Sequence, residues 1–402
     1  MWEQIRANQR KSAILVVVMA LLLFLIGYAA GEALAPGAGL VGLLIAFAVW
    51  IILALISYFA GGSIMLAVSG ARKIGKAELP RLYNVIEEMQ IASGLPKMPE
   101  IYIIDDPAPN AFATGRDPYN AAVAVTSGLL NICNRDELQG VIAHEMSHVR
   151  NRDVLFMIMV GVMMGTIVLI ADVFRRVLWY GGLGRQTRRS SRDSGQLLIV
   201  LVLVGVVLAI LAPIIAQLIY FAVSRKREYL ADACGAQFTR YPEGLASALE
   251  KISASTATLH RANRATAPMY IINPLKQEGR AAANLTSTHP PIQVRIRILR
   301  GMAGGASYLD YDTAFRQVTG KRGVIPASAV SEAKPAPARP PTEATEEDTQ
   351  RVRETTDALW KVHNYGFIAC PCGVRLKIPP AFKPPVIQCP HCGRTHNVPQ
   401  QS

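Results

Sequence analysis

The chain is poor in the features of a small secreted scaffold. Its 402 residues include six cysteines, too few for a disulfide framework at that size. Four of the six crowd the C-terminus, and the isolated Cys133 and Cys234 read as small buried hydrophobes. Charge is sparse. Only 18% of residues are charged against 51% hydrophobic, and mean hydropathy is +0.25, greasier than a soluble domain. Aromatic residues are 7%, and no basic stretch alternates with them as a single-strand nucleic-acid binder requires. The net charge of +13 therefore points elsewhere. Many of the basic residues flank apolar runs, which favours an anionic lipid bilayer over nucleic acid.

Long uncharged runs are what the chain does have. A basic leader with Arg6, Arg10 and Lys11 precedes the run Ser12 to Ala30. A second run, Gly39 to Ala60, follows a link whose single charge is Glu32. Each is long enough to cross a hydrocarbon core. The first exceeds an ordinary signal-peptide core, although Ala33-Leu34-Ala35 offers a small-x-small cleavage site. Arg72, Lys73, Lys76 and Arg81 come next, so basic residues stand at both outer ends of a hairpin. By the positive-inside rule both ends are cytoplasmic. The runs Val154 to Ala171 and Leu197 to Val223 are also uncharged, the latter kinked by Pro213. Between them lie Arg175, Arg176, Arg185, Arg188, Arg189 and Arg192, which break the rule if both runs cross. The pair can instead pack shallowly or against protein. Either way an even number of crossings separates His148 from Arg225, and one metal site can draw ligands from both flanks.

From about Ala77 to Asp153 the sequence reads as soluble. Pro80 to Ala92 has the pattern of an amphipathic helix, Glu100 to Ile104 and Ala121 to Thr126 of strands, and Asn110 to Gly115 of a turn. Then comes His144-Glu145-Met146-Ser147-His148. On a helix, residues i and i+4 share a face, so the two imidazoles can meet one Zn²⁺. Glu145, about 100° round the helix, can take a proton from water at the metal. Asn134 is the expected N-cap, with Glu137 completing a capping box. A catalytic zinc wants three protein ligands and one open position. Glu228 and Asp232, again i and i+4, supply the third ligand and an acceptor for the N–H of a ligand histidine.

The stretch from His144 to Asp153 resembles the active-site helix of the HtpX family, membrane-embedded zinc metalloproteases related to the CAAX-processing endoproteases. Asn110 to Gly115, Val125 to Leu130, Arg227 to Asp232, and Ser287-Thr288-His289-Pro290-Pro291 with Arg295 carry the same likeness, as does the N-terminal hairpin. It covers roughly residues 1–320. The resemblance implies a mainly α, integral membrane protein with a gluzincin-type metalloprotease domain and a small β-sheet. It implies zinc on His144, His148 and Glu228, with Glu145 as catalytic acid/base. It also implies cleavage of misfolded or damaged membrane proteins at the cytoplasmic side of the inner membrane. His289 matches a family histidine close to the cleft, placed either to hold the tetrahedral intermediate or to cap and pack. Substrate is expected to lie extended against the sheet edge near Ala121 to Thr126.

The C-terminal part departs from the family. An Ala/Pro/Glu-rich run over 323–348 reads as a flexible linker. Thr349 to Val362 reads as a short helix, and Phe367 to Ala369 and Val386 to Gln388 as strands. Cys370-Pro371-Cys372-Gly373 and Cys389-Pro390-His391-Cys392-Gly393 fit two knuckles of a zinc ribbon. The chain thus divides into a transmembrane hairpin (1–62), a catalytic domain (63–322) interrupted by an apolar hairpin (154–223), the linker, and a ribbon segment (349–402). Up to four transmembrane helices and two zinc ions, one catalytic and one structural, are expected. A membrane-tethered adaptor whose ribbon recruits a protein partner is the competing function. The intact set His144, Glu145, His148 and Glu228 favours the enzyme.

Overall fold

The structure, a computed structural model, describes residues 2–35, 37–162, 166–167, 214, 224–261, 270–272, 289–342 and 348–398. The N-terminal runs form α1 (Trp2–Leu34) and α2 (Gly39–Ser69). Glu32 closes the turn between them, its carboxylate accepting from the backbone N–H of Gly37 at 2.8 Å and of Gly39 at 3.0 Å. The two helices meet on glycine. A Cβ on Gly42 would stand 2.2 Å from the Gly27 carbonyl oxygen. In lipid, where apolar side chains gain little by leaving their surroundings, such close backbone approach is what holds helices together. Among the described residues, α2 is the one helix long and apolar enough to span a bilayer. The apolar part of α1, Val16–Glu32, is shorter. The run from Val154 begins as helix α6 (Asp153–Val162). Most of its remainder, the arginine-rich loop, and the run Leu197 to Val223 apart from Ile214 lie outside the described residues.

Helix α2 ends at Gly70, whose φ of 68° turns the chain into β1 (Arg72–Lys73). With α3 (Pro80–Ser93), β2 (Glu100–Ile104), β3 (Ala111–Gly115) and β4 (Ala121–Thr126), it builds a sheet of order β1-β2-β4-β3. β4 is parallel to β2 and antiparallel to β3. Ile101, Ile103, Ala111, Ala113, Val123 and Val125 share the core with α3 and α5 (Arg135–Arg150). Ile104, Phe112 and Ala124 cluster with Met65 of α2 and with Tyr270. The sheet departs from the sequence reading at two strands. Asn110 to Gly115 is not a turn: its small residues suit a strand that pairs with β4 from Ala111 opposite Val125 to Gly115 opposite Ala121. Nor is Ala121 to Thr126 a sheet edge, because β4 is paired on both sides and buried throughout. The edge is β3.

Thr126 caps α4 (Ser127–Ile132), accepting from Leu129 N–H, and Asn134 caps α5. The expected capping box is present, with Asn134 Oδ1 accepting from Glu137 N at 2.9 Å and Glu137 Oε2 from Asn134 N at 2.8 Å. The helix over 224–239, α7, crosses behind α5, where a Cβ on Gly235 would reach within 3.3 Å of the His144 backbone nitrogen. Helices α8 (Pro242–Ala254), α9 (Ile292–Arg300) and α10 (Tyr308–Thr319) complete the body.

The stretch expected to be a flexible linker is largely built into this body. After α11 (Ala327–Ser331), Ala306 N–H donates to the Ala336 carbonyl at 2.7 Å, and Ala338 N–H to that of Gly304 at 2.7 Å. Arg339 reaches the N-terminus of α5, bonding Asp136 at 2.7 Å and Gln139 at 2.9 Å. Backbone bonds and the side chains of Arg240, Arg339 and Thr342 anchor this strap, and none of these leaves an apolar pattern in the sequence. Helix α12 (Asp348–Val362) lies on α4, with Arg351 donating to the Asn131 carbonyl at 3.0 Å. Two hairpins follow, β5 (Gly366–Ala369) with β6 (Arg375–Ile378), and β7 (Val386–Gln388) with β8 (Thr395–Asn397).

Candidate metal centre

Helix α5 presents His144, Glu145 and His148 to a cleft that Ala113, Glu228 and Ile271 also line. The imidazoles converge as the i, i+4 spacing requires, with Nε2 atoms 3.2 Å apart. From α7, Glu228 brings its carboxylate to 3.7 Å from His144 Nε2 and 3.4 Å from His148 Nε2. The three ligand atoms lie within 4.8 Å of one another.

Each histidine is held from behind. His144 Nδ1 is 3.0 Å from Asp232, and His148 Nδ1 is 3.3 Å from Asp153. Each carboxylate has its own arginine. Arg295, fully buried, grips Asp232 with two bonds of 2.9 and 2.7 Å. Arg227 bonds Asp153 and lies over the Phe156 ring, 3.9 Å from its centroid. Asp232 is where the sequence placed it. Asp153, Arg227 and Arg295 belonged to the resembling motifs but carried no expected role. Asp153 follows the helix end, and only the turn at Arg152, with φ of 57°, swings it back to His148. His289 lies beside the third ligand, its Nδ1 2.9 Å from Glu228 Oε2.

The donor set fits a cation. Carboxylates at both Nδ1 atoms fix the tautomer and turn two Nε2 lone pairs toward each other. Nitrogens about 2.05 Å from a tetrahedral ion would lie about 3.3 Å apart, close to the 3.2 Å found. Burial opposes charge on both histidines, yet the facing carboxylates prevail and raise both, His148 to about 10. Burial likewise opposes charge on Glu228, but His289, His144 and His148 hold it well below the usual carboxylate range. Glu145 differs. Burial raises its pKa, and its Oε2 accepts from the Ala113 N–H at 2.8 Å.

The four C-terminal cysteines also converge. Cys370 and Cys392 sulfurs are 3.4 Å apart, those of Cys372 and Cys389 3.7 Å, and all four lie within 4.8 Å. Gly373 and Gly393, with φ of 88° and 72°, let each knuckle fold back on its first cysteine. The single residue between Cys370 and Cys372 does not prevent the meeting.

An acid-flanked imidazole pair of this kind serves peptide-bond hydrolysis, which makes the chain a metallopeptidase. Residues 76–303, more than half of the chain, match peptidase family M48, and the chain belongs to that family. It is 47% identical over 309 residues to the Protease HtpX homolog of Dictyoglomus thermophilum, covering 77% of this chain and 97% of the relative. To the Protease HtpX homolog of Streptococcus uberis it is 43% identical over 302 residues, covering 75% and 100%. Among solved structures, Ste24p of S. mikatae aligns at 18% identity and a TM-score of 0.42 over 74% of this chain and 67% of that one. The family match stops before α10, so the cysteine cluster lies beyond it.

Proposed function

We propose that the chain is a membrane-embedded zinc endopeptidase that cleaves misfolded or damaged membrane proteins at the cytoplasmic face of the inner membrane. The observation that carries this reading is the convergence of His144, His148 and Glu228 beside Glu145 in one cleft. These three residues would hold zinc. The ion, when bound, polarises the scissile carbonyl and makes the water beside it more acidic. Glu145 accepts that water's proton and returns it to the leaving amine, a task suited to a carboxyl whose burial favours the protonated form. Asp232 and Asp153 fix the two imidazoles, and His289 orients the Glu228 carboxylate.

Substrate pairs as an extended strand with the outer edge of β3, the edge that reaches Glu145. The Ala111 carbonyl there already accepts the Ile271 N–H at 3.0 Å. Main-chain pairing tolerates many sequences, as clearance of damaged proteins requires. Helix α2 spans the bilayer, which the exposure of Leu40, Leu44, Ile52 and Leu55 supports, with the N-terminus, the catalytic body and the C-terminus all cytoplasmic. Cys370, Cys372, Cys389 and Cys392 close a second, structural zinc site in a ribbon that binds a protein partner.

The test is digestion of casein or a membrane protein by the purified chain. A chelator should abolish cleavage and added zinc should restore it. Cleavage indifferent to the chelator would contradict the mechanism. For orientation, a cysteine introduced at Lys97 should be inaccessible to an impermeant label applied outside intact cells, and external labelling would invert the topology.

A further inference from the structure

The proteolytic site leaves unused a second cavity, of about 310 Å³, between the C-terminal part of α2 and the sheet face that carries Tyr102, Thr114 and Ala122. Its walls differ in character. Tyr58 and Phe59 of α2 form one side, and Phe59 is 65% exposed. Lys97 and Arg116 stand on the other, and Arg116 reaches across so that its guanidinium carbon is 6.0 Å from the Tyr58 ring centroid. Thr114 lines the interior, buried to 1% exposure, and its hydroxyl has no hydrogen-bond partner among the described residues. A buried hydroxyl without a partner is destabilising, so something polar is expected to meet it.

The cavity's level is set by the helix. Nineteen steps from Gly39 to Tyr58 rise about 29 Å, close to the roughly 30 Å hydrocarbon thickness of a bilayer. On the reading that α2 spans the membrane, Tyr58 therefore sits in the cytoplasmic headgroup layer, where amphipathic aromatic side chains collect. The two carboxylates nearby are partly engaged. Glu100 pairs with Lys73 and accepts from the Tyr102 hydroxyl at 2.9 Å. Asp117 accepts from the backbone N–H groups of Tyr119 and Asn120 at 2.8 and 3.0 Å, and lies 3.3 Å from Arg116 Nε. Three cations, Lys73, Lys97 and Arg116, thus face two carboxylates.

We propose that this cavity binds the phosphate of an anionic glycerophospholipid headgroup. Lys97 and Arg116 receive its charge, Thr114 donates its hydroxyl, and the acyl chains run along the exposed side of α2 past Phe59. A lipid held there would bridge the membrane helix and the sheet whose β3 edge adjoins Glu145.

The experiment uses the full chain, purified in detergent and stripped of lipid, then titrated with phosphatidylglycerol, phosphatidylcholine or inorganic phosphate. Lipid binding is read by native mass spectrometry and by melting temperature. Wild type should bind phosphatidylglycerol in preference to phosphatidylcholine. Lys97→Gln with Arg116→Gln should weaken it roughly thirtyfold, two cations at about 1 kcal/mol each near an anionic surface. Thr114→Val should weaken it with both cations intact, and Lys321→Gln, outside the cavity lining, should not. Equal phosphatidylglycerol binding by wild type and the double variant overturns the proposal. Stabilisation by inorganic phosphate as large as by the lipid overturns the lipid source and leaves a free-phosphate site. A raised KM of the double variant for a soluble peptide in lipid-free micelles overturns it in favour of a substrate subsite. Failure of the wild-type chain to sediment with membranes would strike the spanning reading of α2 itself, a result separate from all of these.

Discussion

Asp153 and Asp232 do the same work on the two imidazoles, and each is backed by a buried arginine. Removing either carboxylate's charge should loosen the metal before it touches the fold. Asp153→Asn is expected to weaken zinc binding by 10–100-fold, on the order seen for such outer partners, measured by competition with a fluorescent chelator. Unchanged affinity would mean that His148 is positioned by something else. Cysteine chemistry gives a second expectation at this scale. Burial pushes the Cys133 thiol up to about 12, whereas backbone N–H groups of Cys392 and His391 draw Cys389 down to about 6. Thiol titration of the folded chain should therefore leave Cys133 silent throughout and find Cys389 reactive once zinc is stripped. Protection of Cys389 in the stripped protein would contradict the cluster as a metal site. The residues that the sequence made legible are those with fixed local spacing: His144, Glu145 and His148 on one helix, Glu228 and Asp232 on another. Arg295 meets Asp232 across 63 residues of chain, and Arg227 meets Asp153 across 74. Such pairings follow from the fold and leave no periodic trace.

At the scale of elements, local chemistry predicted helices well and sheet order poorly. The Asn134–Glu137 capping box marks a helix start in the sequence itself, and the structure closes α3 and α10 on the left-handed glycines Gly94 and Gly320. Ala111-Phe112-Ala113-Thr114-Gly115 reads as a turn because glycine and alanine disfavour isolated strands. Pairing with β4 overrides that preference. Once β3 takes the edge, β4 is interior, and the strand-pairing surface moves one strand over, to the side where Ala113 meets Glu145. The α1–α2 hairpin depends on its glycines in a way open to test. In Gly42→Leu the new Cβ would lie against the Gly27 carbonyl, backbone that cannot rotate away. Stability should fall by roughly 1–3 kcal/mol, read as a lower melting temperature in detergent. An unshifted melt would show that the helices do not depend on that contact.

For the whole molecule, the main surprise is the strap after α11, which composition made look like a linker. Arg339 and Thr342 hold Asp136 at the start of the catalytic helix, so the C-terminal segment is tied to the same helix that carries His144 and His148. Where the chain is cut should therefore matter. A chain ending at Thr342 should lose the ribbon's zinc, keep the other, and retain proteolysis of casein. A chain ending at Ala327 should also melt at a lower temperature, because it loses the Arg339 anchor. Equal zinc per chain in the full-length and Thr342-terminated forms would rule out the ribbon as a metal site. The central claim, that Glu145 moves the proton while His144, His148 and Glu228 hold the metal, is tested most directly by Glu145→Gln, with zinc content and casein cleavage measured on the same preparation. Full zinc, an unchanged melt and a rate lower by about a thousandfold or more are expected. Near-normal cleavage by zinc-loaded Glu145→Gln would contradict it.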